Sequence, residues 1–272
     1  MPEGDTIFRA ARTLHRALAG QIVDRFESVY PALNRINDDH PLRGRTVESV
    51  TSVGKHLLIA FSGDFVLHTH MRMNGSWHIY RPGERWQRAV REMRVLVATS
   101  DFVAVGFNIP VAELLSQADV ARHPQLGRLG PDVAHETFDR ELVLARMRAA
   151  GNVAIADALL DQRVLAGIGN VLKSEILFVA GVNPFRSVLE LSNQALERVV
   201  DAARRLMKMN TAVLSTGARV GRHTTGSLDP GQKLWVYGRG GKPCRKCGTT
   251  IRSTQTGDYA RITYFCRRCQ TL

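Results

Sequence analysis

The sequence predicts a mixed α+β protein of two domains: a β-sandwich flanked by helices, then a helical domain ending in a four-cysteine hairpin. Three observations predict it. Short apolar runs of strand length recur between residues 21 and 107, and a helical periodicity replaces them beyond residue 131. All four cysteines of the 272-residue chain fall within its last 29 residues.

The first element is a helix, because Ile7, Ala11, Leu14 and Leu18 stand at helical spacing with Asp5 or Thr6 as the N-cap. Seven β-rich runs follow, at 22–29, 46–53, 56–61, 65–70, 77–80, 93–98 and 102–107. Turn residues separate them, and short strands at regular spacing argue for a sandwich or barrel. Arg72 and Met73, followed by Asn74-Gly75, read as a hairpin tip. The Gly- and Pro-rich stretch 123–131 reads as a linker between an N-terminal domain, 1–122, and a helical one, 132–237. In the latter, Phe138, Leu142, Ala145 and Ala149 share one helical face. Leu172, Ile176 and Val179 share another, and Leu196, Val199, Val200 and Ala203 a third. A loop rich in Gly, Thr and Arg, 215–232, leads to the cysteine module at 238–272, whose strands are expected around 251–252 and 262–265.

Charge points to an acidic partner. Lys and Arg number 37 against 25 Asp and Glu, an excess of +12, and the sequence pI is near 10.2. At 44% hydrophobic and 23% charged residues the chain is an ordinary folded one. Its uncharged apolar runs fall far short of the roughly 20 residues a membrane helix needs. Glu3, Asp5, Arg9 and Arg12 break up any early apolar block, so no secretory signal and a mature chain starting near residue 1 are expected.

The cysteines are spaced Cys244-x2-Cys247-x18-Cys266-x2-Cys269. Two such knuckles can place four thiolates around one structural zinc, with two disulfides as the alternative. A metal-held fold with reduced thiols implies a reducing, cytoplasmic compartment. Four cysteines leave no open coordination position, so the ion would be a clip. From residue 239 to the end, eight Lys and Arg stand against one Asp, which suits contact with nucleic-acid phosphates.

Chemistry concentrates at the other terminus. Removal of Met1 would leave Pro2 as a free secondary amine, able to attack a sugar carbon and form an iminium, with Glu3 beside it as proton donor. The positive end of the following helix would disfavour the ammonium form. Gly167-Ile168-Gly169-Asn170, where one helix ends and the next opens, could cradle a phosphate. Lys55, between apolar strand residues, requires a solvated or anionic partner. His68 and His70 alternate onto one strand face, but no third ligand is evident and a metal site there is rejected. Met73, next to Arg72, could wedge into a base stack.

Pro2-Glu3-Gly4, Gly54-Lys55, His70-x2-Met73-x-Gly75, the segment from Leu159-Leu160-Asp161-Gln162 to Gly167-Ile168-Gly169-Asn170, and the four-cysteine hairpin stand in one order. Together they resemble the formamidopyrimidine-DNA glycosylase and endonuclease VIII family along essentially the full chain. The resemblance implies a helix-two-turn-helix arrangement for 132–237, a zinc finger at 238–272, and a cleft between the domains for the duplex. It implies that Pro2 attacks C1′ of a damaged nucleotide while Glu3 protonates the deoxyribose ring oxygen. Lys55 would serve beside them, gripping a flanking phosphate as would His70, Asn170 and Arg261. Met73, with Arg72 next to it, would fill the gap left by the flipped nucleotide. β and δ eliminations would then excise the sugar. The expected partner is damaged double-stranded DNA, and the expected state a monomer in a bacterial cytoplasm, close to the nucleoid, with no membrane contact.

Two departures from the family pattern bear on specificity. The usual carboxylate at position 6 is Thr6, with Asp5 beside it. Val105-Gly106-Phe107-Asn108-Ile109-Pro110 lacks the arginine pair of purine-directed members. With His123-Pro124 and Gly130-Pro131-Asp132-Val133, this leans towards bacterial endonuclease VIII and oxidised pyrimidines. The rival readings are a purine-directed glycosylase and a non-catalytic, zinc-containing DNA-binding protein.

Overall fold

The computed structural model describes residues 2–212, 221–227, 229–256 and 261–272. It divides into two compact units, Met1–Arg128 and Leu129–Leu272. Among the described residues no helix is long and apolar enough to cross a membrane.

The first unit begins with α1, Gly4–Leu18, whose cap is Glu3 rather than Asp5 or Thr6. Ile7, Ala11, Leu14 and Leu18 are buried as their spacing requires. Next come β1 (Arg25–Ser28), α2 (Pro31–Asp39), β2 (Val47–Val53), β3 (His56–Phe61), β4 (Phe65–His70) and β5 (Ser76–Tyr80). The unit continues with β6 (Met93–Ala98), β7 (Val103–Phe107), β8 (Val111–Leu115) and α3 (Gln117–Arg122). Two four-stranded antiparallel sheets result, ordered β1-β6-β7-β5 and β2-β3-β4-β8. Leu57, Ile59, Leu67 and Leu114 of one sheet meet Val95, Val97 and Ala104 of the other, with Ile7, Leu14 and Leu18 of α1 closing the core.

The connection 71–75 is not a hairpin tip. It carries the chain from β4 in one sheet to β5 in the other. The Gly75 amide donates to the Met71 carbonyl at 2.9 Å, and a Cβ on Gly75 would lie 2.6 Å from that same oxygen. Arg72 takes a left-handed φ of 49° within this turn. The crossover thereby holds Met73 out, 61% exposed.

The second unit contains α4 (Arg140–Ala149), α5 (Ile155–Ala158), α6 (Asn170–Ala180) and α7 (Asn193–Thr211), then the hairpin β9 (Arg252–Thr256) and β10 (Arg261–Phe265). Asp139 and Ser192 cap α4 and α7, accepting from the amides of Leu142 at 2.9 Å and Ala195 at 3.2 Å. α6 is buried on almost every side, and Leu172, Ile176 and Leu177 pack on Leu196, Val199 and Ala203 of α7. Glu175, fully buried on α6, accepts the amides of Trp235, Val236 and Tyr237 at 2.8–2.9 Å, together with the Thr224 hydroxyl. One carboxylate thus ties the approach to the cysteine module onto the central helix. The expected 215–232 loop lies partly outside the described residues.

Candidate nucleic-acid interface

Pro2 lies just ahead of the N-terminus of α1 and lines a cavity of about 550 Å³ with Met73, Asn74, Ser76, Arg88, Glu92 and Asn108. Glu3 beside it is wholly buried, and its carbonyl accepts the amides of Thr6 and Ile7 at 2.9 and 3.0 Å, opening the helix. The positive end of α1 points at this position, and such an end disfavours protonation of a neighbouring amine. Asp5 is also wholly buried. Its carboxylate faces the Arg9 guanidinium and the Thr6 hydroxyl, each at 3.4 Å.

Across the cavity, the Glu92 carboxylate accepts from Arg88 at 2.9 Å and from the Asn108 side chain at 3.0 Å. These two donors hold its carboxyl below the usual range, Arg88 most strongly. Asn108, at a φ of 50°, begins the loop in which the arginine pair is missing. Its amide donates to the Glu92 carbonyl at 2.8 Å, the Tyr30 hydroxyl donates to the Ile109 carbonyl, and Ile109 is fully buried. Ile109 thus anchors the loop, while Asn108 faces the cavity and Pro110 stays exposed. Sequence reading missed Arg88 and Glu92, which no motif marks.

Lys55 lies in the two-residue turn between β2 and β3, and His70 ends β4. His70 Nδ1 accepts the Arg72 amide at 3.0 Å, leaving Nε2–H as the donor of its neutral tautomer. Burial, then the charges of Arg72 and Lys55, push His70 down to about 4. Met73 and Arg72 also border an adjoining cavity of about 440 Å³ with Arg94 and Pro110.

His68 departs from expectation. Where no third ligand was evident, Glu113 and His123 converge on it, while His70 turns to Arg72. His68 Nδ1 lies 2.8 Å from Glu113 Oε2, and His123 Nε2 lies 3.2 Å from the same oxygen. His68 Nε2 in turn meets His56 Nδ1 at 2.8 Å.

In the second unit, Gln162 clamps the glycine turn, accepting from the Gly167 amide at 3.1 Å and donating to the Ile168 carbonyl at 3.0 Å. Gly169 caps α6 and Asn170 is its first residue. The Asn170 side chain donates to the Ile262 carbonyl at 3.0 Å. Its Oδ1 accepts at 2.8 Å from Lys173 Nζ, which also reaches the Thr263 hydroxyl at 2.6 Å. Lys173, wholly buried and one helical turn after Asn170, locks that amide to β10, which Arg261 opens. Its i+3 spacing was the only signal in the sequence.

The four cysteines are free thiols. Sulfur–sulfur separations of 3.5 Å for Cys247–Cys266 and 3.9 Å for Cys244–Cys269 exclude the disulfide alternative. They match the edges of about 3.8 Å expected of four thiolates at 2.3 Å from one zinc. The hydroxyl and amide of Thr249 push Cys247 down to about 6, whereas burial raises Cys266 and Cys269. Phe178 of α6 packs with Val236, Ile251 and Cys266 beneath this cluster.

Residues 1–110 match the formamidopyrimidine-DNA glycosylase N-terminal domain, and 129–221 match the H2TH domain of the same family. Over 99% of this chain and 94% of its own, the "probable endonuclease 8 2" of Streptomyces coelicolor is 43% identical. The "DNA-(apurinic or apyrimidinic site) lyase Nei2" of Mycolicibacterium smegmatis is 36% identical over 100% and 99%. Escherichia coli endonuclease 8 is 31% identical over 99% and 100%. In fold, the chain superposes on Lactococcus lactis Fpg bound to abasic-site DNA with a TM-score of 0.83 at 23% identity, both chains fully covered. With both domains and relatives of 31–43% identity matching along nearly the whole length, the chain belongs to the formamidopyrimidine-DNA glycosylase and endonuclease VIII family.

Proposed function

We propose that this protein is a bifunctional DNA glycosylase and abasic-site lyase of base excision repair, acting through Pro2 on oxidised pyrimidines in duplex DNA. The observation that carries this reading is the position of Pro2. Once Met1 is removed, its amine stands at the mouth of a helix N-terminus, beside a buried Glu3 and on one cavity with the exposed Met73.

The amine attacks C1′, the glycosidic bond breaks, and the base leaves with the bonding pair and a proton. Glu3 protonates the ring oxygen, the sugar opens, and C1′ becomes an iminium carbon bonded to Pro2. The iminium acidifies the C2′ proton. Loss of that proton expels the 3′ phosphate, and a second elimination expels the 5′ phosphate. Hydrolysis of the remaining iminium releases the sugar fragment and restores the amine. A stacked base cannot present its sugar to Pro2. Extrusion costs a few kcal/mol, offset by Met73 in the vacated gap and by phosphate contacts from Lys55, His70, Asn170 and Arg261. Residues 1–122 supply the chemistry, and 132–237 with the finger at 238–272 grip the strand. One zinc held by the four cysteines would fix the hairpin bearing Arg261.

The pyrimidine preference rests on the loop 108–110, which carries no cation to offer the base opposite the lesion. Borohydride should trap a covalent complex with abasic DNA, with the adduct on Pro2 by mass spectrometry. Pro2→Gly should weaken trapping at least tenfold, and Glu3→Gln should suppress base removal at least a hundredfold. An adduct on another residue overturns the mechanism. Faster release of 8-oxoguanine than of thymine glycol from matched duplexes overturns the preference in favour of purines.

A further inference from the structure

The outer face of the sheet β2-β3-β4-β8, opposite the core, gathers His56, His68, His70 and Glu113, with His123 reaching in beyond α3. We propose that Glu113, acting through His68 and His56, sets the seat of His70, keeps its ring against the Arg72 amide that fixes its tautomer, and so positions the imidazole N–H that grips a DNA phosphate. The proposal rests on the phosphate-binding role given to His70 above.

Donor direction follows from the partners. A carboxylate only accepts, so His68 Nδ1, at 2.8 Å from Glu113 Oε2, carries the hydrogen. His68 Nε2 is then a lone pair and accepts from His56 Nδ1 at 2.8 Å. The His56 ring stands edge-on to that of His70, its cross-strand partner, with centroids 4.6 Å apart and planes at 76°. On its other side His70 is held by the Arg72 amide on Nδ1. Each ring in the series therefore has one orientation, and the series ends at His70 Nε2–H. Burial, the largest cause in each case, pushes His56, His68 and His70 all downwards, which keeps these rings neutral as the directions require. A preoriented neutral donor avoids the rotational cost of ordering the ring on binding.

A cation between His68, Glu113 and His123 is the competing use of these groups. His123 Nδ1 accepts the amides of Gln125 and Leu126 at 3.3 Å. A metal on Nε2 would require a hydrogen on Nδ1, facing both of those donors. The hydrogen-bonded reading meets no such conflict.

The test compares His68→Phe, Glu113→Leu, Glu113→Gln and His70→Ala in the full-length, zinc-loaded protein. Long-range 15N–1H NMR reads the His70 tautomer, and binding to abasic-analogue DNA is titrated at fixed salt. Glu113 is half-exposed, so Glu113→Leu serves if His68→Phe does not fold. His68→Phe and Glu113→Leu should mix the His70 tautomers and weaken binding about three- to tenfold. His70→Ala should weaken binding by a similar factor. Glu113→Gln, whose amide oxygen still accepts, should retain both readouts. Unaltered binding by His70→Ala overturns the phosphate role itself. A weakened His70→Ala beside an unmoved tautomer and full affinity in His68→Phe or Glu113→Leu overturns the relay. A second equivalent of zinc, lost in Glu113→Leu, overturns it in favour of a metal.

Discussion

His56 and His70 face each other across β3 and β4, pushed down from the ordinary imidazole value of 6.5 to about 2 and about 4, chiefly by burial. Both folded values lie below the unfolded one. The unfolded chain therefore binds protons between pH 6.5 and 4 that the native protein refuses, and stability falls as the pH falls through that window. Each refused proton contributes a slope of up to about 1.4 kcal/mol per pH unit. Urea midpoints should be flat above pH 7 and decline from 6.5 to 4. His56→Leu should reduce the decline by about one proton's worth, and an unchanged slope would place His56 in water. None of this was legible in the sequence. His68 meets Glu113 from 45 positions away, a contact that only the pairing of β4 with β8 creates. Pro2-Glu3 and the paired cysteine knuckles were legible because their geometry is local, set by a helix start and by two tight turns.

β3, β4 and β6 match their expected bounds, and the misread elements have identifiable causes. β8 escaped notice because Val111–Leu115 is an edge strand containing Ala and Glu, weak strand formers, with a mixed burial pattern. α2 buries only Leu33 and so shows no apolar stripe, and only Pro31 at its first turn marks it. The 71–75 crossover looked like a hairpin because Asn-Gly favours tight turns whichever sheets the flanking strands join. Its defining residue is Gly75, which needs space rather than an unusual φ. A Cβ there would lie 2.6 Å from the Met71 carbonyl oxygen and 2.8 Å from its Cα, backbone atoms that cannot yield without moving Met73. Gly75→Ala should cost about 1–3 kcal/mol, lowering the melting transition of the first unit by about 3–10 °C. It should also weaken borohydride trapping. Gly83, at a φ of 80° with open space around it, is the control. Gly83→Ala strains only its own backbone, so its cost should be about 1 kcal/mol with trapping intact.

At the scale of the molecule, each unit has its own apolar core, but the basic excess is concentrated at the C-terminal end of the chain. Among the described residues, the apolar side chains the cysteine module buries are Phe265 and, packed on Val236 and Phe178, Ile251 with Cys244 and Cys266, so thiolate–metal bonds would supply much of its folding energy. Phe178 and the Glu175 contacts to 235–237 then determine how far its loss spreads: to the end of α6, and no further. Mercurial titration of the thiols should release one equivalent of zinc. Hydrogen exchange should then rise across β9, β10 and 235–237 while β3 and β4 stay protected. With β10 unfolded, Arg261 and the Asn170 amide tied to Ile262 lose their positions together. Only the cationic contact releases a counterion, so the slope of log Kd against log salt should drop by about 0.9 for Arg261, while loss of the neutral Asn170 contact lowers affinity alone. Exchange spreading into β3 and β4 would show that the first unit depends on the metal, and an unchanged slope would remove Arg261 from the phosphate contacts.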